Sequence, residues 1–389
     1  MMVSLAGALM PESFTAPASD FHRHYRPTAL WFCGELEPGA RTIWTLFRYP
    51  PGFAACIALL YRIADMLDVS RAVVLTVGLR AAFAGGAAAL WASSRLLWNG
   101  ARAWAPALAW LLYAPALWLG ARPLSETVFL PLLFVIFFLH VRAITHRRLS
   151  LRGALGMGAL MGLAMLVRPI AAGLPAVSAV AIWRLGFVRD SGKAALALLG
   201  AAILVVTPWE LYLANHAGRL YPLCVNGTHS AADGLTFGVR ARGYRIERRW
   251  GEAETEFMHA LDSSLCSRMS ATGLIATVWR EARDHPLGAL RLAALKAIRP
   301  WYGTDSGRNE WLAGLCNLLF ALPAAAGLAW RIISRRMVTP AAAATLAYVG
   351  YFWLASVAAL SIARYMVPAA GLLFLWIPGL FPQKGRACT

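Results

Sequence analysis

The chain has 389 residues, of which 59% are hydrophobic and 14% charged, with a mean hydropathy of +0.56 and a formal charge of +18. Soluble domains carry about 25% charged residues, so composition excludes an ordinary soluble fold. The apolar runs are continuous rather than alternating, which also excludes a membrane β-barrel.

The expected fold class is an all-α polytopic membrane protein. A polar, aromatic opening loop spans Ser19 to Gly52 and concentrates Asp20, His22, His24, Tyr25, Glu35, Glu37, Arg41 and Arg48. Pro50 to Leu67 reads as a short helix started by proline and lying in the membrane interface. Full spans are expected over Arg71–Ser93, Ala103–Gly120, Thr127–Ile144, Gly153–Val167, Ile170–Trp183 and Ala194–Tyr212. Basic turns join several of them, and the turns ARPLSE (Ala121–Glu126) and Arg168-Pro169 lie on the opposite side.

Leu213 to Asp284 is the one long polar segment. At roughly 70 residues it needs structure of its own, such as a short helix over Glu252–Asp262. Pro286 to Trp301 reads as a second interfacial helix. Trp311–Ile332, Thr339–Leu360 and Arg364–Phe381 complete nine full spans, in a bundle of about nine to ten. The organisation is therefore 1–70 (outer loop and interfacial helix), 71–214 (core spans), 215–309 (large loop with interfacial helix) and 310–389 (final spans and basic tail).

Fourteen basic residues fall on one side of this arrangement: Arg95, Arg102, Arg142, Arg147, Arg148, Arg152, Arg184, Arg189, Lys193, Arg331, Arg335, Arg336, Lys384 and Arg386, against the single acid Asp190. By the positive-inside rule that face is cytoplasmic. The charge excess thus belongs to loops, and no nucleic-acid partner is expected. Six cysteines without a CxxC spacing argue against zinc-ribbon or thioredoxin chemistry. Cys224 and Cys266 share the large loop, where a disulfide and two thiols are both open readings.

The outer turns gather Asp20, Arg48, Arg122, Glu126, Arg168, Lys296, Arg299 and Arg364. Charges at membrane depth need partners or water. Arginine clamps phosphate with two parallel hydrogen bonds, and a carboxylate can take the proton of an attacking hydroxyl. Such a set suits transfer of a group from a lipid phosphate to a hydroxyl. His22, His24 and Glu35 could ligate a metal, but His-x-His is more often plain polar loop and such chemistry requires none; no metal and no cofactor is expected.

RYPPG before a short helix, a turn ending LSE, GLAMLVRP, TPWELYLANHAGRLYPLCVNGT, HPLGALRLAALKAIRPW and ARYMVP follow one another in this order. From about Asp20 onward the chain thereby resembles the membrane-embedded GT-C glycosyltransferases that use polyprenyl-phosphate sugars. The similar groups are the aminoarabinose transferase, protein O-mannosyltransferase and lipopolysaccharide-sugar transferase types. The resemblance implies a hexosyl- or pentosyltransferase of the inner (plasma) membrane with a periplasm-facing site and a lipid-linked sugar donor. Its acceptor would be a glycan, lipid or protein hydroxyl.

The resemblance also implies roles. Asp20 matches the acid that serves as base or orients the acceptor, with Tyr25 and Ala29 following; family spacing is usually one residue shorter, which sets His24 in the Tyr place. Glu126 matches the acid of the second outer turn and is expected, with Asp20, to be catalytic. Arg48, Arg168 and Arg364 match donor-phosphate contacts. His24, Tyr25, Arg122, Lys296, Arg299 and Tyr365 would line the acceptor or donor pocket. The family carries a helix before the Asp where this sequence has nineteen residues, which raises the expectation of a late start or a degenerate copy. Alternatives are a flippase for a lipid-linked sugar, for which Arg80 and Asn317 are the best intramembrane polar groups, and a non-catalytic assembly subunit.

Overall fold

The computed structural model describes residues 20–37, 46, 48–185, 190–218, 221–224, 234, 251–264, 271–304, 307 and 309–381. Among the described residues every regular element is helical. Arg41, Arg189, Cys266, Lys384 and Arg386 fall outside them, and with Cys266 the question of a Cys224–Cys266 bridge.

The opening segment is not the loop that its polarity suggests. A π-helical turn, Phe21–Tyr25, runs into α1 (Arg26–Cys33) and ends on Gly34 in the left-handed region at φ 80°. Phe21, Tyr25, Thr28 and Ala29 form its buried stripe. That four-residue period is hidden in sequence by the intervening His and Arg. Thr28 donates to the carbonyls of His24 and Leu46, at 2.9 and 3.1 Å.

α2 (Gly52–Met66) packs on α1 and coincides almost residue for residue with the helix expected over Pro50–Leu67. Gly52 abuts the backbone of Leu166 so closely that a side chain would collide with its carbonyl. This contact sets the start of α2 against the end of the later helix Leu151–Val167. At the far end, Arg71 ties the elements together through Glu35 at 2.5 Å and Asp65 at 2.6 Å. The guanidinium holds both carboxyls below their usual pKa.

The bundle follows: α3 (Arg71–Leu97), α4 (Ala105–Leu112), α5 (Ala114–Gly120), α6 (Glu126–His146), α7 (Leu151–Val167), α8 (Leu174–Leu185) and α9 (Ser191–Ala217). Then come α10 (Glu252–Ser264), α11 (Ala271–Asp284) and α12 (Pro286–Ile298) from the large loop. α13 (Glu310–Arg335), α14 (Pro340–Ala358) and α15 (Val367–Phe374) close the chain.

Among the described residues five helices are long and apolar enough to cross a membrane, or six if the pair α4–α5, bent by 63° at Tyr113, counts as one span. The protein is a polytopic helical membrane protein, and several of the nine full spans expected from sequence take the form of broken or shorter apolar helices. Pro115 can neither donate to the preceding turn nor avoid it sterically, so the second span breaks. α7 and α8 are shorter apolar helices separated by the Arg168-Pro169 turn. The last expected span, Arg364–Phe381, is a 3-10 turn, the eight-residue α15 and a second 3-10 turn. All eight residues of α15 are buried. It reads as a span from hydropathy alone because a protein interior and a lipid phase select the same residues.

Packing in lipid depends on close van der Waals fit rather than on water exclusion. The most extensive helix pair, α7 with α9, shows this. A side chain at Gly158 would run into the carbonyl of Leu198. His140 of α6, Ser178 of α8 and Tyr348 of α14 meet inside the bundle, with Ser178 Oγ and the Tyr348 hydroxyl 2.5 Å apart.

Candidate functional site

Four chain breaks meet at one end of the bundle and deliver the charged residues. Pro169 disfavours helix at the residue before it, and Arg168 accordingly sits in extended backbone, φ −147°, as α7 stops. The turn after it is fixed by Tyr351 of α14, whose hydroxyl donates to Ile170 O at 2.5 Å and accepts from Gly173 N at 2.9 Å. Glu126 opens α6, where a negative charge is favoured by the helix dipole. Arg364 and Tyr365 occupy the 3-10 turn before α15. Arg48 and Tyr49 precede Pro50 and the start of α2.

Glu126 is the centre of this arrangement. It is 1% exposed; its Oε1 accepts a hydrogen bond from Arg364 Nε and is ion-paired with Arg168 Nη1. Its Oε2 accepts from Ser125 Oγ at 3.3 Å, and Ser125 in turn accepts from the Tyr25 hydroxyl at 3.3 Å. Arg168, itself 7% exposed, lies over the Tyr365 ring at 5.3 Å. Arginine has five N–H donors, so holding one carboxylate oxygen does not exhaust either guanidinium.

Tyr49 links this cluster to the opening segment. Its ring stacks on Tyr25 at 5.1 Å and meets His24 edge-on at 5.3 Å. Burial pushes its hydroxyl up to about 12, the Asp20 carboxylate pushes the same way, and Arg48 and Arg364 oppose. Asp20, Arg48 and Arg364 thus all act electrostatically on one phenol. Tyr25 is raised chiefly by burial. Arg48 Nε is buried and has no hydrogen-bond acceptor among the described residues. The three guanidiniums outnumber the two carboxylates, Asp20 and Glu126, so the cluster carries net positive charge.

Arg364 also lines a cavity of about 440 Å³. Its walls are mostly apolar and come from α5, the start of α13 and the turn before α15, including Trp118, Leu312, Cys316 and Val367. The cationic cluster and an apolar groove therefore share one residue.

The structure thus brings together Asp20, His24, Tyr25, Arg48, Glu126, Arg168, Arg364 and Tyr365. It places three predicted pocket residues differently. Lys296 Nζ donates to Gly234 O at 2.9 Å and Ala359 O at 3.0 Å. Arg299 donates to Glu310 Oε1 at 2.5 Å and to the carbonyls of Thr304 and Ser361. Both are nearly inaccessible, and they brace the chain around Ala363, whose N–H donates to Gly303 O at 2.7 Å. They hold the turn that presents Arg364. Arg122 lies over the ring of Trp118, itself a cavity-lining residue, at 4.3 Å. Asn317 accepts from the Tyr113 hydroxyl at 2.8 Å and donates to Trp301 O.

Sequence reasoning passed over Tyr49, Ser125 and Glu310. The first two stand directly beside Arg48 and Glu126, so adjacency was the available signal. Glu310 had none, because its partner Arg299 was assigned to the pocket.

No protein-family model matches the chain, and no curated protein matches it. Two solved structures of ArnT from Cupriavidus metallidurans are similar to it at 14% identity. The one bound to undecaprenyl phosphate has a TM-score of 0.42, covering 96% of this chain and 77% of that one. The apo form has a TM-score of 0.41, covering 96% and 76%. This is a distant likeness, and the functional reading rests on the residues of this chain.

Proposed function

We propose that the protein is a membrane glycosyltransferase of GT-C type. It would move a sugar from a polyprenyl-phosphate donor to a hydroxyl of a cell-envelope glycan, lipid or protein on the extracytoplasmic face. The observation that carries this reading is the Glu126-centred pair of arginines, set beside Arg48 and Asp20 and opening through Arg364 onto an apolar groove. A phosphate attached to a long hydrocarbon matches both halves: guanidiniums for the headgroup and the groove for the tail.

The chemistry is a direct displacement with inversion. The bond from the anomeric carbon to the phosphate oxygen breaks, and its electron pair leaves on the lipid phosphate. Arg48, Arg168 and Arg364 stabilise the charge that grows there. The acceptor oxygen bonds the anomeric carbon from the opposite side, and its proton passes to the Asp20 carboxylate. Glu126 is unsuited to act as that base, because its carboxylate is buried and committed to two arginines. Its role is to aim them.

The test is release of polyprenyl phosphate from a labelled polyprenyl-phosphate sugar by the purified protein in lipid nanodiscs with an envelope extract as acceptor source. Asp20→Asn should lower kcat by about 10²–10⁴, the usual contribution of a general base, and leave donor affinity nearly unchanged. Turnover by Asp20→Asn equal to that of the parent chain would remove the proposed mechanism.

A further inference from the structure

The large loop carries an apolar surface that the proposed reaction does not use. α10, α11 and α12 share a small core of Phe257, Met258, Leu261 and Leu292, against which Leu274, Val278, Ala282 and Ala289 pack. That core satisfies one side of α11. The neighbouring side presents Ile275, 69% exposed, and Trp279, 64% exposed. After His285 the pattern continues on α12 with Leu287, Leu290 and Ile298, each more than half exposed. Water-facing loop helices do not ordinarily leave this much large apolar surface uncovered.

Position identifies what covers it. Trp353 of the spanning helix α14 donates from Nε1 to Ala297 O at 2.8 Å. Trp353 lies five residues before the end of α14, which is about 8 Å along its axis. Its neighbour Leu354 is 60% exposed on the outside of that span, where the bilayer lies. Ile298, next to the bonded carbonyl, is therefore held at a depth where the surrounding medium is lipid. The charges on these helices fit the same setting. Arg283 lies over the Trp279 ring at 5.5 Å, an aromatic capped by a guanidinium, as at a headgroup boundary. The nearby acids are engaged with arginines: Glu281 with Arg280 at 3.0 Å and Glu254 with Arg291 at 3.8 Å. Asp284, at the end of α11, is exposed.

We infer that α11 and α12 form a foot that rests in the lipid leaflet on the site face, with Ile275, Trp279, Leu287, Leu290 and Ile298 in the acyl boundary and Arg283 among the headgroups. α12 alone is legible in sequence as interfacial; the foot extends to α11, whose apolar face contacts lipid rather than a protein partner. This inference is independent of the transferase reading.

The experiment places the photocrosslinker p-benzoylphenylalanine at single sites of the full chain in nanodiscs of phosphatidylethanolamine and phosphatidylglycerol. Trp279→p-benzoylphenylalanine exchanges one exposed aromatic for another. Leu354→p-benzoylphenylalanine reports a lipid-facing span. After illumination, mass spectrometry of the peptides should find lipid adducts at 279 in yield comparable to 354. Leu290→p-benzoylphenylalanine gives a second reading on α12 should the first variant fold poorly. Lipid adducts at 354 with only background at both 279 and 290, or protein cross-links in their place, would overturn the inference.

Discussion

Replacing Glu126 by glutamine removes one charge from a buried three-membered cluster and changes almost nothing else in shape. The carboxylate is 1% exposed, and its first partner, Arg168, is 7% exposed. Taking one partner out of a buried ion pair costs about 3–5 kcal/mol, because the remaining charge is left uncompensated. Glutamine retains an amide oxygen that accepts one N–H, which points to the lower end, about 3 kcal/mol. At about 1.4 kcal/mol per tenfold, the folded-to-unfolded ratio falls roughly 10²-fold. The assay is thermal unfolding of detergent-solubilised Glu126→Gln against the parent chain. Arg168→Gln alone should cost less, because Arg364 still neutralises the carboxylate. The double variant should recover part of the loss, since only the half-buried Arg364 is then left without its partner. A parent-like unfolding midpoint for Glu126→Gln, or a double variant as damaged as the two single losses added, would refute the assignment of Glu126 as the charge that organises the arginines.

Helix packing gives a second expectation: Gly158→Ala should lower the unfolding midpoint by overpacking α7 against the Leu198 backbone, at about 1–3 kcal/mol. Gly156→Ala on the same helix meets nothing within 4 Å, and should be neutral or slightly stabilising. A third concerns pH. Burial and the neighbouring Arg299 lower the Lys296 ammonium to about 7, against about 10.4 in an unfolded chain. Between those values the unfolded state binds the extra proton, so stability rises with pH from about 7 upward and is lost as pH falls back. The unfolding midpoint of the parent chain should climb over that window, and the climb should flatten in Lys296→Met.

The membrane class, the helix α2 and the gathering of acids and arginines at one end were legible in the chain. Each depends on local composition or on proline, whose effect is short-range. Arg168 is the clearest case: Pro169 alone ends α7 beside it. What was not legible depended on distant contacts. The opening segment hid a helix because His22, Arg23 and His24 interrupt the Phe21–Tyr25–Ala29 stripe, and only the bundle shows that stripe buried. Hydropathy could not separate α15, enclosed by protein, from a span enclosed by lipid. Lys296 and Arg299 looked like pocket residues because sequence reports a charge but not the carbonyls it meets.

The reading stands or falls on whether the arginine cluster holds a lipid phosphate. Native mass spectrometry of the protein with polyprenyl phosphate and with the matching polyprenol measures this directly. The phosphate form should bind and the alcohol should not, and Arg48→Gln or Arg168→Gln should weaken the phosphate form about tenfold or more, as expected for a lost charge-assisted hydrogen bond. Equal binding of phosphate and alcohol, or phosphate binding unchanged in both arginine variants, would contradict it.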